Sequence, residues 1–257
     1  MRMANRAEKV TVETLLEMKR NRQYIAAMVC YDHQMAQILD RAGADVLSVG
    51  DSVGRTFLGQ TAEEHTTVDM MIMFCRAVVR GAKRALVNCD MPTSIVSNPA
   101  TTAEAARRIA GEAGPSTVKV DIREDMEKFF PAVEAVTKSG VIHVYPQIGF
   151  SHLLREGGQE KLEYICKKAQ ALENIGAKML DLTGVSTEIY AAARDAVKIP
   201  VIGGQTGPEA DGHIYVSAPL VGYNAALLDQ QDTQNNAARY CFEIAQQAVA
   251  NIHAGKY

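Results

Sequence analysis

Asp51 and Asp90 each close an apolar run, in DVLSVGD and RALVNCD, and two carboxylates so placed have the chemistry of a divalent-cation site. Mg²⁺ takes oxygen ligands in octahedral geometry and keeps positions open for water and substrate. A small 2-oxo acid fills two such positions with its carboxylate and keto oxygens. The ion then stabilises the enolate formed when a proton is removed, or a bond broken, at C3. The next run, VKVD, sets Lys119 and Asp121 two residues apart. On a strand that spacing puts both on one face, adding a cation and a third carboxylate. One aspartate at a strand end is as readily a turn or cap residue. Two at successive strand ends, followed by Lys-x-Asp, favour the metal site.

These residues act together only if their strands deliver them to one end of a sheet. Short runs rich in Val, Ile and Leu alternate with longer segments of helical period along most of the chain, which is the signature of βα units. Strands are predicted at 24–31, 45–51, 84–90, 116–122, 141–147, 177–183 and 198–203, with a weaker eighth near 213–217. Helices are predicted at 33–43, 67–82, 101–113, 124–139, 160–175, 186–197 and 236–253. An extra helix at 11–21 would cap the bottom of a barrel. Gly43, Gly81, Gly114, Gly140 and Gly176 stand where helices should stop, glycine supplying the left-handed residue that turns the chain into the next strand. A doubly wound open sheet shares this rhythm. The absence of any Pro/Ser-rich linker favours one domain over residues 1–257, a single (β/α)₈ TIM barrel of α/β class with an extra N-terminal helix.

The 257 residues, 47% apolar and 22% charged, can bury a full core. A net charge of −3, with no run of Lys or Arg, argues against a nucleic-acid partner. Five widely spaced cysteines without a C-x-x-C pair read as thiols in a reducing cytoplasm. Residues 1–10 lack the apolar core of a signal peptide, and no run approaches the ~18–20 apolar residues of a membrane span. The expectation is a soluble, cytoplasmic protein with no membrane partner.

At the acidic strand ends the sequence resembles the ketopantoate hydroxymethyltransferase family of pantothenate biosynthesis, in the phosphoenolpyruvate/pyruvate barrel superfamily. The matching stretches are Tyr31-Asp32, DVLSVGDSVGRTFLG at 45–59, TTVDMMIMFCRAVVRGA at 66–82, NCDMP at 88–92, VKVD at 118–121 and GPEADGHIYV at 207–216. They span most of the chain in the family's order. The resemblance implies a Mg²⁺-dependent homo-oligomeric barrel that transfers a one-carbon unit from methylenetetrahydrofolate to 2-oxoisovalerate. It implies Asp51 and Asp90 as metal ligands, Asp121 in place of a glutamate that supports the metal, and Ser52 and Lys119 as contacts of the oxo acid.

The proton-transfer half departs from the family. Thr183 stands where the family has a glutamate thought to be the enolising base, and threonine cannot accept that proton at neutral pH. Gln147 stands in place of a histidine, near an apparent one-residue insertion. Asp181, on the same face as Thr183 and two residues deeper, is a candidate base, the competing reading being a structural charge paired with a neighbour. His143 and Tyr145 share a face with Gln147 if the strand is regular, and a His-Tyr-Gln ladder could do acid/base work; buried structural His and Tyr are as common. The candidate catalytic residues are therefore Lys119, Asp181, Tyr145 and His143, and the candidate substrate contacts are Ser52, Lys119, Gln147 and Thr183.

Three loops add polar groups. Ser52 to His65 reads as a mobile lid, Gly203 to Gly207 as a close backbone approach to the oxo acid, and His152, Arg155 and Gly157-Gly158 as a further loop on the catalytic face. Arg155 there is either a carboxylate ligand or a surface arginine. The leading expectation is a hydroxymethyltransferase-like enzyme acting at C3 of a small 2-oxo acid through a metal-bound enolate. A lyase or hydrolase that cleaves a C–C or C–P bond beside the oxo group is the alternative, since cleavage itself makes the enolate. A non-catalytic ligand-binding barrel is the third reading.

Overall fold

The computed structural model describes residues 8–150, 158–204, 209–230 and 234–256. Its eight parallel strands close into a barrel in the order β1 to β8. They are β1 (Ile25–Val29), β2 (Val46–Val49), β3 (Leu86–Asp90), β4 (Thr117–Asp121), β5 (His143–Gly149), β6 (Leu180–Thr183), β7 (Val201–Gly203) and β8 (Gly212–Val216). The helices are α1 (Val12–Arg20), α2 (His33–Ala42), α3 (Val53–Leu58), α4 (Val68–Gly81), α5 (Pro99–Ala113), α6 (Met126–Ser139), α7 (Gln159–Asn174), α8 (Thr187–Ala196), α9 (Ser217–Val221) and α10 (Ala237–His253). The open-sheet alternative is thereby excluded. By its internal contacts the chain divides into two compact units, Met1–Ile214 and Tyr215–Tyr257.

Local chemistry sets the element ends. Asp32, Thr67 and Asp125 accept hydrogen bonds from the first free backbone N–H groups of α2, α4 and α6, and Asn98 does so for α5, with Pro99 at its first position. Gly43, Gly114 and Gly140 follow α2, α5 and α6 in the left-handed conformation. Gly81 corrects the pattern. It lies inside α4, where a Cβ would come within 2.7 Å of Ala36 Cβ and of the His33 carbonyl, so it is there to let α2 and α4 approach.

Strand bounds shift where period alone decided them. β5 is seen at 143–149 rather than 141–147, and β6 and β7 begin three residues later than predicted. The segment read as a lid forms α3 and a 3-10 turn at Glu63–His65, and Phe57 of α3 packs its ring 4.9 Å from that of Tyr31.

α1 closes the N-terminal end of the strands as expected. Its Val12, Leu15 and Met18 join Ile25, Ala27, Val46, Leu86, Tyr145, Met179 and Ile202 in one buried cluster. The larger cluster fills the layer between strands and helices. In the second unit, α10 has no buried residue, and Tyr240, Phe242, Ile244, Val249 and Ile252 are exposed along it.

Candidate active site

The acidic pair stands at the C-terminal ends of β2 and β3, the end at which barrels of this class carry their chemistry. Asp90 is the last residue of β3 and is 5% exposed. Its Oδ1 accepts from Asn88 Nδ2 at 2.8 Å and from the Ser48 hydroxyl at 3.2 Å, and Asn88 also donates to Ser48 Oγ at 2.8 Å. Ser48 and Asn88 face each other in the β2–β3 register, and Thr117 Oγ1 donates to Asn88 Oδ1 at 2.9 Å. This net holds one oxygen of Asp90 and turns the other, Oδ2, toward Lys119, whose Nζ lies 2.8 Å away.

Lys119 Nζ also reaches Asp181 Oδ2 at 3.2 Å, so one cation on β4 ties a carboxylate on β3 to another on β6. Burial works against its charge, but Asp90, Asp181 and Asp51 outweigh burial and hold the ammonium above the ordinary lysine value. Lys119 is therefore a fixed cation rather than a base. Burial likewise pushes the Asp90 carboxyl up, opposed by Lys119 and the Ser48 hydroxyl.

Asp51 follows β2 in a half-buried turn, with Thr66 Oγ1 donating to its carbonyl at 3.1 Å. Gly50 permits the turn. A Cβ there would stand 2.9 Å from Ser52 Oγ and 3.8 Å from Asp90 Oδ2. Ser52 shares a 2.9 Å hydrogen bond with the hydroxyl of buried Tyr31, whose pKa is raised, first by burial, so that Tyr31 stays neutral.

On β5 and β6 the side chains form a chain of donors. Gln147 Nε2 donates to Thr183 Oγ1 at 3.3 Å, and that hydroxyl donates to Asp181 Oδ1 at 3.0 Å. The close approach of the two strands depends on Gly149, at φ +133°, where a Cβ would fall 1.8 Å from the Thr183 carbonyl oxygen. Asp121 ends β4, but both its oxygens are engaged by Arg123: Nε lies 3.0 and 3.1 Å from Oδ1 and Oδ2, and Nη2 lies 2.5 Å from Oδ2.

The structure thus brings together Asp51, Asp90, Lys119, Asp181, Thr183, Gln147 and Ser52. His143 does not join them. It opens β5, exposed, opposite Thr117, and lines a cavity of about 560 Å³ at the N-terminal ends of β4 and β5 with Ser116, Gly140 and Lys178. Sharing a face is not sharing a depth: four residues separate it from Gln147, roughly 13 Å along a strand. Tyr145 is fully buried within the apolar cluster below the charged residues, and its hydroxyl has no hydrogen-bond partner among the described residues. Burial, then the charges of Asp181 and Asp90, hold its pKa well above the ordinary tyrosine value. The loop with His152, Arg155 and Gly157, and the stretch Gln205 to Gly207, lie outside the described residues.

A family model, described as ketopantoate hydroxymethyltransferase, matches residues 9–254. The chain belongs to that family. It is 32% identical over 225 residues to a 3-methyl-2-oxobutanoate hydroxymethyltransferase of Flavobacterium johnsoniae, covering 84% of this chain and 82% of the relative. A protein of the same description from Shouchella clausii is 34% identical over 224 residues, covering 84% and 79%. Among solved structures, a putative phosphonomutase from Burkholderia cenocepacia superposes with a TM-score of 0.70 at 16% identity, covering 86% of this chain and 99% of the other. 2,3-Dimethylmalate lyase superposes with a TM-score of 0.66 at 16% identity, covering 96% and 100%. These last two likenesses concern the fold alone. The chain is thus a hydroxymethyltransferase-family enzyme.

Within this ketopantoate hydroxymethyltransferase fold, residue reasoning missed Ser48, Asn88 and Arg123. Two of them carry a period-two signal, since Asn88 precedes Asp90 by two residues and Arg123 follows Asp121 by two. Among the described residues no group of three or more His, Cys, Asp or Glu converges as a metal cluster. Among the described residues, what stands at the site is a pair of carboxylates, Asp51 and Asp90, in oxygen-rich surroundings. Such a donor set suits a hard divalent ion that keeps water and substrate as its remaining ligands.

Proposed function

We propose that this chain is a Mg²⁺-dependent ketopantoate hydroxymethyltransferase-like enzyme that enolises a small 2-oxo acid at C3 and adds a one-carbon unit from methylenetetrahydrofolate. The observation that carries the reading is the Asp90–Lys119–Asp181 network beside Asp51 at the open end of the barrel. Asp51 and Asp90 would hold the ion, with Asp121 supporting from β4. When bound, Mg²⁺ supplies Lewis acidity at the keto oxygen.

The protein's own groups do the rest. Lys119, held charged, stabilises the negative charge that develops on the oxo acid. Ser52, fixed by Tyr31, and Gln147 orient the acid. Asp181 accepts the C3 proton as the C–H electron pair moves into the C2–C3 bond, and the Thr183 hydroxyl holds the accepting carboxylate in place. The carbon nucleophile then takes the methylene carbon, so that oxo acid, methylenetetrahydrofolate and water give the 3-hydroxymethyl acid and tetrahydrofolate.

A lyase reading is favoured by one observation, the threonine at 183 where a carboxylate base is expected. NMR of several 2-oxo acids with the protein and Mg²⁺ in D₂O separates the two. Folate-independent C3–H exchange, followed by hydroxymethylation when methylenetetrahydrofolate is added, supports the transferase. Fragmentation of a larger oxo acid without exchange replaces it with the lyase, and no change in any acid tested overturns both. Metal titration of wild type and Asp51→Asn tests the ion independently; equal absence of binding in both removes Mg²⁺ from the reading.

The same proposal includes a homo-oligomer, supported by the exposed apolar residues of α10, and a reducing cytoplasmic setting, supported by the buried free thiols of Cys30, Cys75 and Cys89. No described helix is long and apolar enough to cross a membrane.

A further inference from the structure

One charged group at the open end that the chemistry above leaves unused is Arg123. It stands two residues past Asp121 and four past Lys119. It is fixed at both ends, because Asp121 Oδ1 accepts its backbone N–H at 3.0 Å while the same carboxylate grips the guanidinium through Nε and Nη2. Nη1 makes no hydrogen bond among the described residues, and the side chain retains 29% exposure. After Asp121, the charges acting most on the guanidinium are those of Asp181 and Asp51, on β6 and just past β2. Asp121 shares the face of β4 that carries Lys119 two residues earlier, and Lys119 Nζ meets Asp90 and Asp181 across the barrel, so the guanidinium that Asp121 grips stands at the open end with those charges.

Such an arginine has a further use. A purely apolar substituent at C3 of the oxo acid would leave the Nη1 edge without an acceptor, whereas an anionic group on the substrate would take two N–H donors from a guanidinium already oriented by Asp121. Preorganisation of this kind confers discrimination, because a site built to hydrogen-bond a polar group rejects an analogue that lacks it.

We propose that Arg123 is a specificity-determining residue that binds a second carboxylate of the substrate, so that the preferred substrate is a dicarboxylic 2-oxo acid. The proposal rests on reading the site as one for 2-oxo acids. It does not depend on which group removes the proton.

A matched pair of acids tests it: 2-oxoglutarate and 2-oxopentanoate, which share a five-carbon chain and differ in the terminal carboxylate. Binding of each to the full-length protein with Mg²⁺ is measured by calorimetry, and C3–H exchange is followed in D₂O. The wild type is expected to bind the diacid roughly ten- to a hundredfold more tightly, the range of a charge-assisted hydrogen bond. Arg123→Gln should remove that preference while leaving 2-oxopentanoate binding within about threefold, and Arg123→Lys, which keeps the charge but not the fork, should keep part of it. Thermal melts confirm that each variant folds, and should Arg123→Gln fail, Arg123→Lys carries the comparison. Equal or weaker binding of the diacid by the wild type overturns the proposal. So does an equal loss for both acids in the variants, which would make Arg123 a prop for Asp121. A diacid preference in binding without C3–H exchange upholds the specificity and overturns the enolisation step. No binding of either acid overturns both readings.

Discussion

At the N-terminal end of the strands the barrel interior is closed by Val12, Leu15 and Met18 of α1 packed on Ile25, Ala27, Val46, Leu86, Met179 and Ile202. At the opposite end, strands of the same sheet present Asp90, Lys119, Gln147, Asp181 and Thr183 to one another. The lower cluster is stabilised by removing apolar surface from water, an undirected gain that any well-fitting side chains supply. The upper cluster depends on each polar atom finding its partner, because an unpaired buried charge costs far more than a lost methyl group. Stability and chemistry are therefore separable along the barrel axis. Tyr145 marks the boundary, with its ring in the lower cluster and its pKa raised in part by the charges of Asp181 and Asp90.

This contrast can be broken at four points. Lys119→Met should have the largest effect, abolishing C3–H exchange and lowering unfolding free energy in urea by about 3–5 kcal/mol, since Asp90 and Asp181 lose their shared cation. A variant as stable and active as wild type would show that the network is not central. Leu15→Ala should cost about 2–5 kcal/mol by opening a cavity under α1, with unchanged affinity for the oxo acid. Altered binding in that variant would mean that the two ends are coupled.

Thr183→Val keeps the shape but cuts both hydrogen bonds of the hydroxyl. It should cost about 1 kcal/mol in stability and slow exchange on the order of 10²-fold through loss of orientation at Asp181, with little change in KM. An unchanged rate would remove Asp181 as the proton acceptor. Tyr145→Phe should be the mildest, leaving exchange unaltered and raising stability by up to about 1 kcal/mol, because the deleted hydroxyl has no partner to lose among the described residues. A marked loss of rate would return Tyr145 to the catalytic set.

Much of this arrangement is legible before folding, and for identifiable reasons. The close of an apolar run set Asp90 at the C-terminal end of its strand, where Lys119 meets it, and period-two spacing put Lys119 and Asp121 on one face of the next strand. It also set Asp181 and Thr183 on one face, where a direct hydrogen bond joins them. The same rule failed for His143, since alternation fixes the face of a strand and not the depth at which a residue sits. It also left unread that Arg123, two residues past Asp121, engages both oxygens of that supporting carboxylate.

From sequence alone came the alternation of βα units, the plug helix, most of the glycines that stop helices and the acidic strand ends, all features of local spacing and side-chain type. Closure of the sheet was decided by tertiary structure, as was the meeting of Lys119 with carboxylates from β3 and β6. The Gln147–Thr183–Asp181 chain across β5 and β6 likewise required the fold. The physical reason is register. Which residues of neighbouring strands stand at the same height depends on how the barrel is sheared as it closes, and no stretch of sequence contains that information by itself.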